Sequence, residues 1–324
     1  MVRRAFPISL LKEQKLMRLR GTIAWLLILF TAASFAAQTS RPSTTTLTVR
    51  GDSDHRAPDE GRLKSDLMGR DMPYRVVLPL AYSTRTADRF PVLYLLHGLT
   101  GNYKNWTDLT RIRSYAEAHN LIIVTPEGEN GWYTDSTSRA SDKYESYIVK
   151  ELIPEVEKKY RVIASRDKRA IAGLSMGGYG ALKFGLKYPE KFVLAGSFSG
   201  ALGAASITEA QFPGAVGKTI DGIFGPSGNE ARKGNDLFHI VREASPEKIK
   251  SMPFLYVDCG TEDFLFQNNR EFVSLLVEKK VPHEYRQLPG AHNWAFWDKQ
   301  VLEFLRLADR TFSLIETKPG AVQK

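Results

Sequence analysis

The residue whose surroundings most favour chemistry is Ser175, the middle residue of the run Gly-Leu-Ser-Met-Gly at 173–177. An apolar run at 169–172 precedes it with strand character, and 179–188 has the composition of a helix. A serine between glycines at such a junction is typical of a nucleophile elbow, where glycines avoid collisions that larger side chains would make. A helix beginning at Met176 would direct its N–H groups at an oxyanion formed above Ser175. The alternative is a glycine-rich turn holding an ordinary serine.

A serine hydroxyl needs a base, so a histidine should follow Ser175 in the chain. Three candidates do: His239, His283 and His292. Only His292 lies in a loop after a predicted strand, whereas His283 begins a strand and is expected to be structural. The sequence therefore favours His292 as the base.

The base in turn needs a carboxylate that holds its tautomer, and the loop after the strand at 254–257 offers three. Asp258 still belongs to the strand end, and Glu262 is expected to face solvent. This leaves Asp263 as the predicted acid.

An oxyanion needs preorganised donors, and the first is the backbone N–H of Met176, directly after the nucleophile. The second should come from the loop after the early buried strand, where Gly98 allows the N–H of Leu99 to turn toward the site. His97 precedes this glycine and is expected to shape the loop rather than act as a base.

The elements around these residues predict an α/β protein. Apolar strands that alternate with helices indicate a mostly parallel sheet covered on both faces. The predicted strands are 45–50, 63–69 and 74–80, which open the sheet in antiparallel fashion, then 90–96, 121–124, 169–172, 192–198, 254–257 and 283–288. The predicted helices are 106–115, 144–160, 176–188, 269–279 and 294–310.

The segment 200–250 is too long for a simple crossover and is rich in glycine, charged residues and turn formers. We expect an insertion over the carboxyl ends of the strands, where open α/β sheets bind ligands. Its apolar side chains would then wall a pocket: Ile207, Phe212, Val216, Ile223 and Phe224. The alternative is that it merely covers a sheet edge.

The formal net charge of +9 does not indicate nucleic-acid binding. The first 36 residues hold six of the 45 basic and one of the 36 acidic residues, which leaves an excess of only four positive charges. No basic run with interleaved aromatic residues remains. No metal-ligand spacing of cysteine or histidine is present, and Cys259, the only cysteine, cannot form an intramolecular disulfide. We therefore expect no nucleic-acid partner, no metal and no cofactor.

The amino terminus has the pattern of a secretory signal peptide over 1–36. Arg18 and Arg20 precede an apolar run at 23–30, and small residues follow at 32–37. A membrane anchor is the alternative, but the run is short for a span of about 20 residues. The expected organisation is then a mobile lead-in with a first strand at 37–62, a catalytic domain at 63–312 and a tail at 313–324.

Five motifs together resemble the esterase D branch of the α/β-hydrolases, and the resemblance extends from about residue 63 to 304. The motifs are His97–Gly101, Asn130–Asp135, Gly173–Gly180, Gly260–Asp263 and Gly290–His292. That branch includes S-formylglutathione hydrolases, tributyrin, feruloyl and acetyl-xylan esterases, and mycobacterial mycolyltransferases.

The resemblance implies an α/β-hydrolase fold with a triad of Ser175, Asp263 and His292 and oxyanion donors at Leu99 and Met176. It also implies that Trp132 and Tyr133 lie near the pocket, although a loop aromatic pair is more often packing. Phe264 and Trp294 are further candidate pocket residues.

The expected activity is that of an exported serine carboxylesterase acting on a small-molecule or carbohydrate ester. An acyltransferase that hands the acyl group to a sugar hydroxyl is the first alternative. A non-catalytic binding protein on a hydrolase fold is the second, and a peptidase is a third. The export signal argues against a cytosolic S-formylglutathione hydrolase.

Overall fold

An eight-stranded sheet runs through the computed structural model, which describes residues 57–208 and 214–316. The strands are β1 (Asp59–Ser65), β2 (Arg70–Val77), β3 (Val92–Leu96), β4 (Ile122–Pro126), β5 (Arg169–Leu174), β6 (Leu194–Phe198), β7 (Phe254–Gly260) and β8 (His283–Leu288). Their order in the sheet is β1-β2-β4-β3-β5-β6-β7-β8. The first two strands pair antiparallel, β2 pairs antiparallel with β4, and all later pairs are parallel. The predicted mostly parallel sheet with an antiparallel opening is confirmed.

Helices cover both faces of this sheet. They are α1 (Ala81–Thr84), α2 (Asn105–Leu109), α3 (Ile112–Ala118), α4 (Tyr144–Tyr147), α5 (Ile153–Lys159), α6 (Met176–Lys187), α7 (Ala215–Phe224), α8 (Glu230–Lys233), α9 (Leu237–Arg242), α10 (Pro246–Ser251), α11 (Phe266–Glu278) and α12 (Trp294–Glu316). None of the helices in the described part of the chain is long and apolar enough to span a membrane.

Alternate residues of the strands enter two separate apolar cores. Along β3, Tyr94 and Leu96 pack in a core with α5, α6 and α11, while Leu93 and Leu95 pack in a core with α3 and α12. Successive strand side chains point to opposite faces, so a strand that is apolar at every position is buried on both. This is the layered arrangement that the apolar strands predicted.

The first strands begin earlier than the sequence indicated. We expected strands at 63–69 and 74–80, but β1 ends at Ser65 and β2 begins at Arg70. The residues between them turn because the Glu151 carboxylate accepts hydrogen bonds from the N–H groups of Asp66 and Leu67. The strand expected at 45–50 lies outside the described residues.

Two predicted helices are interrupted. The helix expected at 106–115 is two helices, because Thr110 is extended, with φ −139°. In the helix expected at 144–160, residues Ile148–Leu152 form a π-helical segment directly before α5. Pro154 then occupies the first turn of α5, directly after the π-helical segment, and has no N–H to donate to that segment.

The insertion between β6 and β7 carries α7 to α10 and is held together by Arg232. This buried guanidinium donates to the carbonyls of Gly225 and Ala205 and pairs with Asp221. Phe224, at the end of α7, packs edge-on against Tyr179 and lies 6.3 Å from the ring of Trp132. The insertion therefore contacts the loop that carries Trp132. Phe212 lies outside the described residues, as does the side chain of Val216.

At Gly177, α6 lies close against the end of β3. A Cβ atom there would lie 2.5 Å from the Leu96 carbonyl oxygen and 2.6 Å from that of His97. Because backbone atoms cannot move aside cheaply, Gly177→Ala should cost about 2 kcal/mol or more and lower Tm by about 4–8 °C. Thermal unfolding followed by circular dichroism measures this.

Gly234→Ala is the matched control for that substitution. Gly234 has helical dihedral angles, and its nearest contact would be 3.4 Å. Alanine there should leave Tm unchanged or raise it slightly, since it reduces the freedom of the unfolded chain. Equal losses in both variants would show that α6 is not packed this tightly on β3.

Candidate active site

Ser175 occupies a sharp turn between β5 and α6. Its dihedral angles, φ 53° and ψ −116°, lie in a sparsely populated region that costs about 1–3 kcal/mol for a residue other than glycine. Its N–H donates to the carbonyl of Phe198, and its own carbonyl accepts from the N–H groups of Tyr179 and Ala201. These bonds hold the strained backbone, and the serine itself is only partly buried. The hydroxyl is thus presented at the carboxyl edge of the sheet.

The loop after β3 lies directly against this serine. A Cβ atom on Gly98 would be 3.4 Å from the Cβ of Ser175. A turn closes over Leu99, because the N–H of Gly101 donates to the carbonyl of Gly98 at 3.1 Å. The N–H of Thr100 is occupied by the Asn130 side chain at 2.8 Å. The Leu99 backbone is therefore fixed on both sides beside Ser175.

Met176 is the first residue of α6, so its N–H belongs to the first helical turn, which has no intrahelical acceptor. No acidic residue lies in that turn, and the Ser175 side chain does not cap it. The positive end of the helix dipole can consequently stabilise a negatively charged group that binds above Ser175.

His292 is held by Asp263. The imidazole Nδ1 lies 2.8 Å from the Asp263 Oδ2, and the carboxylate is fully buried while the imidazole is partly exposed. The other oxygen of Asp263 accepts from the N–H of Leu265 at 2.8 Å. With Nδ1 donating to the carboxylate, Nε2 is the nitrogen that can accept a proton.

The other carboxylates of this loop have different environments. Asp258 is fully buried in the body of β7, and burial raises the pKa of its carboxyl well above the ordinary value. The exposed Glu262 accepts a hydrogen bond from the N–H of Gly290. Asp263 is therefore the carboxylate that the fold places on His292.

The remaining histidines of the described residues have structural partners or lie in the insertion. His283 Nδ1 is 2.7 Å from the carbonyl of Val281. The buried His97 contacts its neighbour's carbonyl through Nδ1 and accepts from the N–H of Gly128 through Nε2. His97 thus links two loops at the edge of the sheet, in line with the structural role expected of it.

The strand order brings the segments that follow β5, β7 and β8 to one edge of the sheet. Backbone bonds connect the strand ends across that edge: Ser175 to Phe198, Ser199 to Asp258, and Thr261 to Leu288. The loop of His292 also extends back toward β3 through edge-to-face ring contacts that run from His292 to Trp297, Trp294 and Trp106. Trp106 in turn donates its indole N–H to the carbonyl of Leu96, at the end of β3. Since β3 pairs with β5, the imidazole loop and the serine turn share one end of the sheet.

The four predicted pocket residues are differently placed. Phe264 is partly exposed and lies against His292, with ring centroids 4.6 Å apart. Trp294 is wedged edge-on between Trp106 and Trp297. Trp132 is 9% exposed and Tyr133 is fully buried. The side chain of Tyr133 therefore offers no exposed face to a ligand.

Comparison with known proteins shows that this chain is similar to esterases. Residues 65–307 match the model of the Esterase family, described as "Putative esterase". An acetyl esterase of Caldicellulosiruptor saccharolyticus is 32% identical over 219 residues, which cover 66% of this chain and 82% of the relative. The chain belongs to this esterase family. It is accordingly an enzyme, a carboxylic ester hydrolase, and the predicted family resemblance is confirmed.

Solved structures of esterases show the same fold. A ferulic acid esterase superposes with a TM-score of 0.70 at 30% identity, over 79% of this chain and 98% of that one. A fluorophosphonate-binding serine hydrolase of Staphylococcus aureus superposes with a TM-score of 0.70 at 28% identity, over 78% and 98%. The predicted α/β-hydrolase fold is confirmed. Across 57–208 and 214–316, no group of three or more His, Cys, Asp or Glu side chains could hold a metal ion.

The sequence analysis missed a buried ion pair that involves α6, the helix that begins directly after Ser175. Lys183 in α6 is fully buried and bonds Glu145 at 2.7 Å, and Lys187 bonds the second oxygen of the same carboxylate at 2.6 Å. Burial lowers the pKa of Lys183 to about 8. The sequence did contain a signal, because Lys183 lies inside the otherwise apolar run 181–186. A lysine is rarely buried in a core unless it has a charged partner.

This ion pair makes the free energy of unfolding depend on pH in the acidic range. Burial alone would raise the pKa of Glu145, but the charges of Lys183 and Lys187 outweigh it and lower the pKa to about 2. A carboxylate whose folded pKa is depressed contributes stability that is complete above its unfolded value, near 4.5, and is lost as pH falls toward 2. Glu145→Gln should therefore cost about 3 kcal/mol at neutral pH. The difference in free energy of unfolding between the parent and Glu145→Gln should become smaller below pH 4.5. Urea unfolding across a pH series measures this difference.

The exposed Glu278 is the control for this experiment. Glu278→Gln should change the free energy of unfolding by less than about 0.5 kcal/mol at every pH, as is usual for surface sites. If the difference in free energy of unfolding for Glu145→Gln is small at neutral pH, or does not change with pH, the ion pair does not stabilise the protein in the way described.

Proposed function

We propose that this protein is an exported serine carboxylesterase in which Ser175, His292 and Asp263 act as a catalytic triad. The observation that carries the proposal is the 2.8 Å contact between His292 Nδ1 and Asp263, at the sheet edge where the strained Ser175 turn is presented. A carboxylate on Nδ1 orients the imidazole and stabilises its protonated form, so that Nε2 can take the serine proton. Nucleophile, base and orienting acid are then all supplied by loops of one sheet edge.

Catalysis would follow two acyl-transfer steps. His292 removes the proton of the Ser175 hydroxyl as the oxygen attacks the ester carbonyl, and the imidazolium returns that proton to the departing alcohol. Water, deprotonated by the same imidazole, then attacks the acyl-enzyme and releases the carboxylic acid with free Ser175. The reaction uses no group beyond the protein and water.

The backbone N–H groups of Leu99 and Met176 would stabilise the oxyanion of both tetrahedral intermediates. Support comes from the turn that fixes Leu99 against Ser175 and from the position of Met176 at the start of α6. Donors of this kind contribute about 10²–10³-fold in rate each because they are oriented before charge develops.

For the substrate, we propose esters of short or aromatic carboxylic acids, including those carried on carbohydrates. One relative is an acetyl esterase and one structural neighbour is a ferulic acid esterase, and both names indicate acyl groups of limited size. Phe264 beside His292 is an apolar surface that such an acyl group can contact.

Export is proposed from the amino-terminal sequence, which lies outside the described residues. The positive flank at Arg18 and Arg20, the apolar run at 23–30 and the small residues at 32–37 support a cleaved signal over 1–36. The remaining boundaries, a catalytic domain at 63–312 followed by a tail, are proposals of the same kind.

Labelling with a fluorophosphonate, followed by a panel of acetyl, butyryl, feruloyl and sugar esters, tests the proposed function. We expect covalent labelling at Ser175 and turnover of at least one ester class. Adding an alcohol acceptor separates hydrolysis from acyl transfer, because a transferase should turn over slowly in water alone. A protein that neither reacts with the probe nor cleaves any ester would instead be a binding protein on this fold.

A further inference from the structure

The loop that carries Trp132 and Tyr133 has an unusual backbone. Both residues have φ values in the left-handed region, 52° and 51°, which bulky side chains rarely adopt. Two such residues in succession persist only when the surrounding structure imposes the conformation. The contacts that enforce this left-handed conformation therefore indicate the role of the loop.

Lys183 supplies these contacts from inside the protein. Its ammonium donates to the Tyr133 carbonyl at 2.6 Å, to the Thr134 hydroxyl at 2.7 Å and to Glu145 at 2.7 Å, so all three of its hydrogens are used. The Thr134 hydroxyl in turn donates to the carbonyl of Trp132 at 2.8 Å. The carbonyls of both left-handed residues are thus tied, directly or through one hydroxyl, to one buried charge.

The same loop reaches the predicted oxyanion donors. The Tyr133 hydroxyl donates to the carbonyl of His97 at 3.0 Å, two residues before Leu99. Its ring has no room to move, because a Cβ atom on Gly128 would lie 2.4 Å from it and one on Gly180 would lie 2.6 Å from it. A chain of contacts therefore runs from α6, which begins next to Ser175, through Lys183 and Tyr133 to the loop after β3 that carries Leu99.

Burying a charge is costly, and a buried ion pair is often no more stabilising than apolar residues of the same size. A fully buried lysine within α6, the helix that begins directly after Ser175, therefore calls for a reason other than stability. On the basis of the proposed function, we propose that Lys183, paired with Glu145, is a positioning residue that fixes the Leu99 oxyanion donor through Tyr133. It touches no substrate and acts by setting the geometry in which the oxyanion is bound.

Two variants test this assignment. Lys183→Met/Glu145→Gln removes both charges and leaves no carboxylate unpaired, and Tyr133→Phe removes only the hydroxyl that bonds His97. We expect kcat for p-nitrophenyl acetate to fall about tenfold or more in the double variant and severalfold in Tyr133→Phe, with KM nearly unchanged. The affinity for a phenylboronic acid, which forms a tetrahedral adduct on serine, should fall by the same factor as kcat.

Lys187→Met is the matched control, because Lys187 bonds the same carboxylate but the Tyr133 carbonyl is bonded by Lys183. It should keep kcat and boronate affinity within about twofold of the parent. Unchanged kcat and boronate affinity in Tyr133→Phe would overturn the inference, and this holds even where the double variant does not fold. So would losses in Lys187→Met as large as those in the double variant.

The parent protein separates this inference from the proposed function. A parent that cleaves the ester, with variants that match it, leaves the esterase intact and removes only the role of Lys183. A parent that cleaves neither p-nitrophenyl acetate nor any ester of the panel overturns the proposed function and this inference with it.

Discussion

Ser175→Ala is expected to lower kcat/KM for p-nitrophenyl acetate by about 10⁴-fold or more while the protein remains folded. The substitution removes the only atom that forms the acyl bond in the proposed mechanism. Its structural effect should be small, because the backbone bonds that hold the turn come from the N–H and carbonyl of residue 175 rather than its side chain. Tm should stay within about 2 °C of the parent.

Ser199→Ala is the matched control for this prediction. Ser199 also has a left-handed backbone, with φ 48°, and lies at the end of the neighbouring strand, but it is fully buried. We expect its activity to remain within about tenfold of the parent, with fluorophosphonate labelling retained. Activity that survives in Ser175→Ala and disappears in Ser199→Ala would show that the nucleophile has been assigned to the wrong turn.

Asp263→Asn is expected to lower kcat by about 10³–10⁴-fold. The asparagine carbonyl can still accept from the N–H of Leu265, so the loop should keep its shape. Its amide NH₂ would then face His292 Nδ1 and donate to it, which places the imidazole proton on Nε2. In that tautomer Nε2 has no lone pair for the serine proton, so the loss should appear in kcat with little change in Tm.

Asp258→Asn should behave differently, although it changes the same residue type five positions earlier. Burial raises the pKa of Asp258 well above its ordinary value, so a neutral amide in its place avoids the cost of a buried charge. We expect less than a tenfold change in kcat and a change in unfolding free energy within about 1 kcal/mol. A larger loss of kcat for Asp258→Asn than for Asp263→Asn would mean that Asp258 is the acid of the triad.

Local patterns were sufficient for most of the architecture. Local sequence predicts the apolar strands, the helices between them and the Gly-Leu-Ser-Met-Gly turn. This is because the burial of a strand and the steric fit of a tight turn depend on short stretches of chain. The predicted boundaries of the first two strands were wrong by several residues, because the turn between them is fixed by Glu151, about 85 residues further along. The same chain order also pointed to His292, the only one of the three histidines after Ser175 that lies in a loop following a strand.

Other features were decided only by the tertiary structure. The sequence offered three acidic residues at the end of β7 and in the loop after it. The tertiary structure buries Asp258 within β7, and the packing of the β7 and β8 loops exposes Glu262 and turns Asp263 onto His292. Likewise, nothing near Lys183 in the chain shows that its partners are Glu145 and the Tyr133 carbonyl. Short-range patterns determine which residues can be buried, whereas the partner of a buried charge is set by strand order and loop packing, which join residues distant in the chain.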